Sequence, residues 1–171
     1  RAHNVTRVLG NGLRPDIWME FKNRFGIGRV HEFYGASEGN TGFVNIFNFD
    51  KTVGWSPQFG KAWNVVAYDV DADEPVRGND GYLKDLAVGE TGLLIMRISE
   101  QNPFDGYTDA QASENKILRD VFEKGDAWFN SGDLVVLQKH GHIQFGDRIG
   151  DTFRWQGENV ATTEVESVIM K

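Results

Sequence analysis

The sequence predicts an α/β protein: the end of a parallel α/β sheet subdomain, a small antiparallel β subdomain, a hinge, and the start of a small α+β C-terminal domain. Three observations carry this prediction. Residues 1–40 alternate strand, helix and strand patterns. Residues 41–105 replace helical periodicity with short apolar runs between turn residues. Residues 146–160 are rich in charge and glycine before a helix start appears near the chain end. The expected boundaries are 1–147, with 1–40 as a βαβ unit and 41–147 mostly β, then 148–151 as hinge and 152–171 as the start of a further domain.

In the first unit, residues 6–9 suit a short strand that Gly10-Asn11-Gly12 breaks. Pro15 suits a first helical turn, Ile17, Phe21 and Phe25 recur at i+4 beside Trp18, and Gly26 stands where a helix would stop. Residues 29–34 form the next strand, and a link of this length implies parallel strands with a right-handed crossover. The β region, a small antiparallel sheet or open barrel, is read from runs at 43–49, 65–70 and 93–98, separated by Gly54-Trp55-Ser56-Pro57, a polar stretch at 71–81, and Gly89-Glu90-Thr91-Gly92. Thr108 with Gln111 makes a capping box before a predicted helix over 112–122, whose apolar side is Ile117, Leu118, Val121 and Phe122. Residues 128–133 lead into a predicted hairpin of strands 134–138 and 142–145 about Lys139-His140-Gly141. The stretch 146–160 reads as a connector, and Thr163 with Glu166 caps a last helix carrying Val165, Val168 and Ile169.

Composition narrows the function. With 171 residues the chain is about one domain, and its 12 Phe and 5 Trp supply a core. A net charge of −7 excludes a general nucleic-acid binder. The absence of cysteine excludes disulfide and thiolate chemistry. No apolar run approaches the ~18 residues of a membrane span, and there is no signal-peptide pattern. Because the chain begins at Arg1 and stops within a starting helix, a piece of a longer protein is expected.

The stretch Phe33-Tyr34-Gly35-Ala36-Ser37-Glu38-Gly39-Asn40 sets a ring, bare backbone, a hydroxyl and a carboxylate side by side. The ring can stack on a base, backbone N–H groups and Ser37 can meet a phosphate, and Glu38 is a hard ligand suited to Mg²⁺. A strand running into a glycine turn with Glu38 solvated fits the same residues. The βαβ reading places this loop and Gly10-Asn11-Gly12 on one rim, at the carboxyl ends of parallel strands, where open α/β sheets bind ligands. The hairpin brings Asp133 near Asp147-Arg148, either to grip ribose hydroxyls or as an ordinary ion pair. Asp71 and Asp73 match no calcium loop, because Pro75 follows, the sixth position lacks glycine, and Tyr82 stands where the closing Glu belongs. His140 and His142 are expected at the surface, without a third ligand nearby.

Tyr34-Gly35-Ala36-Ser37-Glu38, Gly89-Glu90-Thr91-Gly92, Asn130-Ser131-Gly132-Asp133, and Asp147-Arg148 followed by Gly157 resemble, in order and spacing, the adenylate-forming enzymes. These include acyl-CoA synthetases, luciferases and peptide-synthetase adenylation domains. The stretch from Gly150 to Val160, with Gly10-Asn11-Gly12-Leu13-Arg14-Pro15 and Ser37-Glu38-Gly39-Asn40, is similar to the fatty acid transport protein, or very-long-chain acyl-CoA synthetase, branch. The resemblance covers essentially the whole chain. It implies ATP-dependent conversion of a fatty acid to an acyl-adenylate with loss of pyrophosphate, then transfer of the acyl group to coenzyme A.

By the same resemblance, Tyr34 stacks on adenine, with Gly10, Asn11, Gly12 and Gly35 as further nucleotide-site backbone. Ser37 contacts the α-phosphate, Glu38 coordinates Mg²⁺, Asp133 and Arg148 hold the ribose, Gly150 and Asp151 form the hinge, and Gly157 lies by the pantetheine channel. Ser37 and Glu38 are thus the expected catalytic residues. Neither the family's upstream phosphate loop nor its C-terminal lysine is matched, so the 171 residues alone are expected to be inactive. Asn159 stands where many relatives have Gly-x-Arg, and Ser37 replaces the commoner Thr. The expected partners are fatty acid, ATP, coenzyme A and the rest of a parent chain, without nucleic acid. The expected location is cytoplasmic or membrane-associated, the latter by peripheral attachment. Two other functions fit: an acyl-AMP ligase that loads a carrier protein, and a nucleotide-binding module without ligase activity.

Overall fold

The structure, a computed structural model, describes residues 3–35, 39, 41–150, 152–155 and 158–169. Strand β1 (Arg7–Gly10), helix α1 (Trp18–Phe25) and strand β2 (Arg29–Tyr34) form the expected βαβ unit. The two strands are parallel, with Gly10 opposite Glu32. Helix α1 ends at Gly26, whose φ of 64° lets its N–H reach the Lys22 carbonyl. The face it buries differs from the predicted stripe: Trp18 is buried, whereas Ile17 and Phe25 are exposed. The Trp18 indole N–H is held by Asp50 at 3.0 Å, so this side chain can sit inside without leaving a donor unpaired.

The predicted apolar runs overlap the strands β3 (Phe43–Val44), β5 (Trp63–Val66), β6 (Tyr68–Asp69) and β8 (Thr91–Arg97), whereas β4 (Gly54–Trp55) and β7 (Glu74–Pro75) fall in segments predicted to separate them. Of the polar stretch at 71–81, residues 71–73 belong to the turn between β6 and β7. Among the described residues, one sheet of nine strands joins the parallel pair to the antiparallel region, because β2 pairs with β3 as well as β1. Its order is β1-β2-β3-β4-β11-β10-β8-β5, where β10 is Ala127–Gln138 and β11 is His142–Arg148. Strand β9 (Ile117–Arg119) pairs with the outer end of β10. Both faces of this sheet are covered. Along β8, Leu94 and Met96 enter one core with Trp63, Phe129, Val135 and Ile143, while Leu93 and Ile95 enter another with Trp128 and Val121.

Three expectations are corrected. The helix predicted over 112–122 is instead α2 (Ala110–Asn115), followed by β9. Its N-cap is Asp109, whose carboxylate accepts from the N–H groups of Gln111 and Ala112, and Thr108 lies outside it. The β-branched and apolar residues beyond Lys116 gain more by pairing with β10, and Asp126 closes the following turn by accepting from Val121, Phe122 and Glu123 N–H and the Trp128 indole. The connector read over 146–160 contains instead the end of β11 and an antiparallel hairpin, β12 (Thr152–Trp155) with β13 (Glu158–Ala161). Helix α3 (Thr162–Ile169) starts one residue before Thr163, so the predicted capping residue lies within it. No described helix is long and apolar enough to cross a membrane.

Candidate functional site

Three elements converge on Asp133. In the β10/β11 hairpin Asp133 faces Arg148, as the sequence predicts, and the Arg148 Nε donates to Asp133 Oδ1 at 3.0 Å. From the last residue of β2, the Tyr34 hydroxyl donates to Asp133 Oδ2 at 2.5 Å. The carboxylate side chain is 2% exposed, while Arg148 is 59% exposed. The cluster is therefore an ion pair with its acid inside and its base at the surface. Removing the acid's partners would leave a buried charge uncompensated, which is costly.

The strand geometry behind this cluster is local. Between Asn130 and Leu134 the β10 ladder to β8 is interrupted. There Ser131 donates its hydroxyl to the Leu94 carbonyl at 2.7 Å and accepts the Asp133 N–H at 3.1 Å. Ser131 thus replaces missing ladder bonds and fixes the backbone from which Asp133 projects. Tyr34 is held edge-on by Phe43, with centroids 5.9 Å apart. Burial first, and then the Asp133 charge, push the Tyr34 hydroxyl far above its ordinary 10, so it remains a donor.

The second glycine loop lies where the parallel pair predicts. Glu32, directly opposite Gly10, is 2% exposed and accepts from the Gly12 N–H at 2.7 Å and the Leu13 N–H at 3.3 Å. Burial raises its pKa, and the two backbone donors partly offset the rise. Asn11, Gly12 and Gly35 are exposed. Sequence reasoning missed Glu32, yet strand alternation places it on the buried side with Val30. Ser131 stands in the sequence only within the Asn130-Ser131-Gly132-Asp133 motif, where nothing assigns it a role. Ser37, Glu38, Asp151 and Gly157 lie outside the described residues, so the phosphate, metal and pantetheine expectations are not placed. Gly150 is described, with φ of 95°.

The histidine expectation needs correction. His140 is exposed, but His142 is 3% exposed beneath Phe47 and Phe49, with ring centroids 5.9 and 5.0 Å away. The half-exposed loop after β3 covers it, a packing that the hairpin pattern alone does not signal. Among the described residues, no group of three or more His, Cys, Asp or Glu is placed to hold a metal.

Chemically, Asp133 has acceptor capacity left on both oxygens, since an ionised carboxylate offers about four lone-pair sites. The aromatic ring of Tyr34 and the 10–12 backbone stand at the same sheet rim.

No protein-family model matches the chain. Individual proteins do. The medium/long-chain-fatty-acid–CoA ligase FadD6 of Mycobacterium tuberculosis is 53% identical over 169 residues, 99% of this chain and 28% of that protein. Long-chain fatty acid transport protein 2 of Rattus norvegicus is 49% identical over 173 residues, with the same coverages of 99% and 28%. This chain therefore spans little more than a quarter of these relatives. Among solved structures, ATP-bound MatB from Rhodopseudomonas palustris superposes with a TM-score of 0.63 at 23% identity, over 95% of this chain and 29% of that one. The O-succinylbenzoate coenzyme A synthetase MenE from Bacillus subtilis, solved with ATP and magnesium, gives 0.58 at 21% identity, over 96% and 31%. These two likenesses concern the fold. Over 99% of its length the chain is a homologue of the fatty-acid–CoA ligases and long-chain fatty acid transport proteins, of which it corresponds to one segment.

Proposed function

We propose that this chain is the nucleotide-holding segment of a longer fatty-acid–CoA ligase. That enzyme joins a fatty carboxylate to AMP from ATP, releasing pyrophosphate, and passes the acyl group to coenzyme A. The observation that carries the reading is the convergence of Tyr34, Asp133 and Arg148 at one end of the sheet. Asp133 and Arg148 hold the ribose hydroxyls, and Tyr34 supplies the ring against adenine, beside the backbone of Gly10, Asn11, Gly12 and Gly35. Ser37 donates to the α-phosphate. Glu38, a single hard carboxylate, suits a Mg²⁺ ion that takes most of its other ligands from phosphate and water. A Mg²⁺ ion held there would neutralise charge on the phosphates. Little covalent chemistry falls to the protein, so positioning and charge neutralisation supply most of the catalysis.

Gly150 and Asp151 act as the hinge between the portion 1–147 and the small domain beginning at 152. The left-handed φ of Gly150 suits a residue that absorbs large backbone rotation. Gly157 lies by the pantetheine channel.

The test is fatty-acid-dependent formation of AMP and acyl-CoA by the full-length protein. Asp133→Ala removes the ribose acceptor and is expected to lower kcat/KM for ATP by roughly 100-fold, from about 3 kcal/mol of lost charged hydrogen bonds. Full activity in a folded Asp133→Ala protein would overturn the assignment. Product formed with a carrier protein and none with coenzyme A would transfer the proposal to an acyl-AMP ligase.

A further inference from the structure

We infer that Glu32 is a positioning residue that anchors the 10–12 loop beneath the nucleotide, so that loop and Tyr34 form one preset cleft. The inference rests on the nucleotide-site reading above. Strand β2 carries Glu32 and Tyr34 two residues apart, hence on the same side of the sheet. One strand therefore sets both the aromatic ring and the loop facing it. The loop leaves β1 just past Gly10, opposite Glu32, where the parallel pairing ends. Beyond that point the Gly12 and Leu13 N–H groups converge on a single oxygen, Glu32 Oε2, at 2.7 and 3.3 Å.

The anchor is buried and the loop above it is not. Glu32 is 2% exposed, whereas Asn11 and Gly12 are exposed. A carboxylate taken from water is unfavourable unless its acceptors are used, and here two backbone donors use one of its oxygens. The fit is close on the strand side as well: a Cβ added to Gly10 would meet Glu32 Oε1 at 3.3 Å. Without the anchor, the 10–12 backbone loses its fixed distance from Tyr34. Such a loss weakens nucleotide binding and leaves the chemical step to the residues that touch phosphate.

The test compares Glu32→Gln, Glu32→Asp and Glu32→Leu in the full-length protein, with Asp133→Ala in parallel. Glutamine keeps an acceptor at the same reach, so the KM for ATP should stay within about threefold of wild type. Aspartate keeps the charge but is one methylene too short, and leucine has no acceptor. Both should raise the KM for ATP roughly tenfold, with kcat and the KM for fatty acid changed by less than about twofold. Should Glu32→Leu fail to fold, the glutamine and aspartate pair decides alone. A protein in which aspartate is tolerated and glutamine is not would overturn the inference, because charge rather than reach would then matter. So would an unchanged KM for ATP in all three variants while Asp133→Ala raises it. If Asp133→Ala also leaves it unchanged, the nucleotide-site reading fails and the inference fails with it.

Discussion

His142 shows how one side chain can tie an exposed loop to the sheet. It projects from the first residue of β11, beneath Phe47 and Phe49, and its ring nitrogens make no hydrogen bond of normal geometry. Burial lowers its pKa below 6.5, against a smaller opposing pull from the backbone of His140 and Lys139. On acidification the unfolded chain therefore binds this proton before the folded one does. The stabilisation from a neutral His142 is complete above pH 6.5 and is lost as pH falls through the folded value, by at most about 1.4 kcal/mol per pH unit. Urea unfolding midpoints measured below pH 6.5 should fall less steeply in His142→Phe than in wild type. Equal slopes would mean that His142 titrates alike in both states. Their places on either side of the turn, with no third ligand nearby, predict a surface pair, but only the chain folded back from residues 45–50 reveals which histidine is covered.

At the scale of elements, the join between β3 and β4 depends on Gly54. Its φ is 134°, and a Cβ there would lie 2.2 Å from the Val44 carbonyl carbon. Gly54→Ala should lower the denaturant midpoint by the equivalent of about 3 kcal/mol or more, since both strain and collision oppose it. A loss near zero would show that the backbones can separate without disturbing the sheet. The sequence signals this glycine only as part of a turn cluster. Elements with strong local signals were legible: the βαβ unit from its periodicity and glycine stop, and the hairpin from alternation about a turn. Their geometry then made the Asp133–Arg148 pairing legible too. Where tertiary pairing competes with local propensity, the reading failed. Residues 117–122 have an amphipathic helical pattern, yet β10 offers 117–119 a partner edge and Asp126 supplies acceptors to the turn after them. Glu32 escaped notice because its partners are backbone N–H groups twenty residues upstream, which carry no side-chain signature.

Across the whole molecule, one sheet crosses regions that the sequence divides into a parallel and an antiparallel part. Its middle is its thinnest join. Strand β3 meets β2 through Phe33–Val44 and Tyr34–Phe43, and meets β4 through Val44–Trp55 alone. On one side stands the satellite core of Trp18, Ile27 and Val30. On the other, β8, β10, β11 and β5 share the two large cores, with pairing that extends along most of each strand. Local opening follows the least buried apolar surface and the fewest ladder bonds, so the βαβ unit should open before the antiparallel half. The link is not limited to the ladder, however. Asn45 donates to the Val30 and Thr52 carbonyls, and Asn48 accepts the Val30 N–H, so the loop after β3 staples the far side of β2 to the rest. Native-state hydrogen exchange separates these contributions. The amides of Val8 and His31 are expected to exchange through an opening of lower free energy than those of Leu94, Val135 and Ile143. Asn48→Ala should widen that difference while leaving protection in β8 and β10 unchanged. Uniform protection from β1 to β5 would instead make the staple as strong as the cores, and the site bridging Tyr34 to Asp133 would then sit within one cooperative unit.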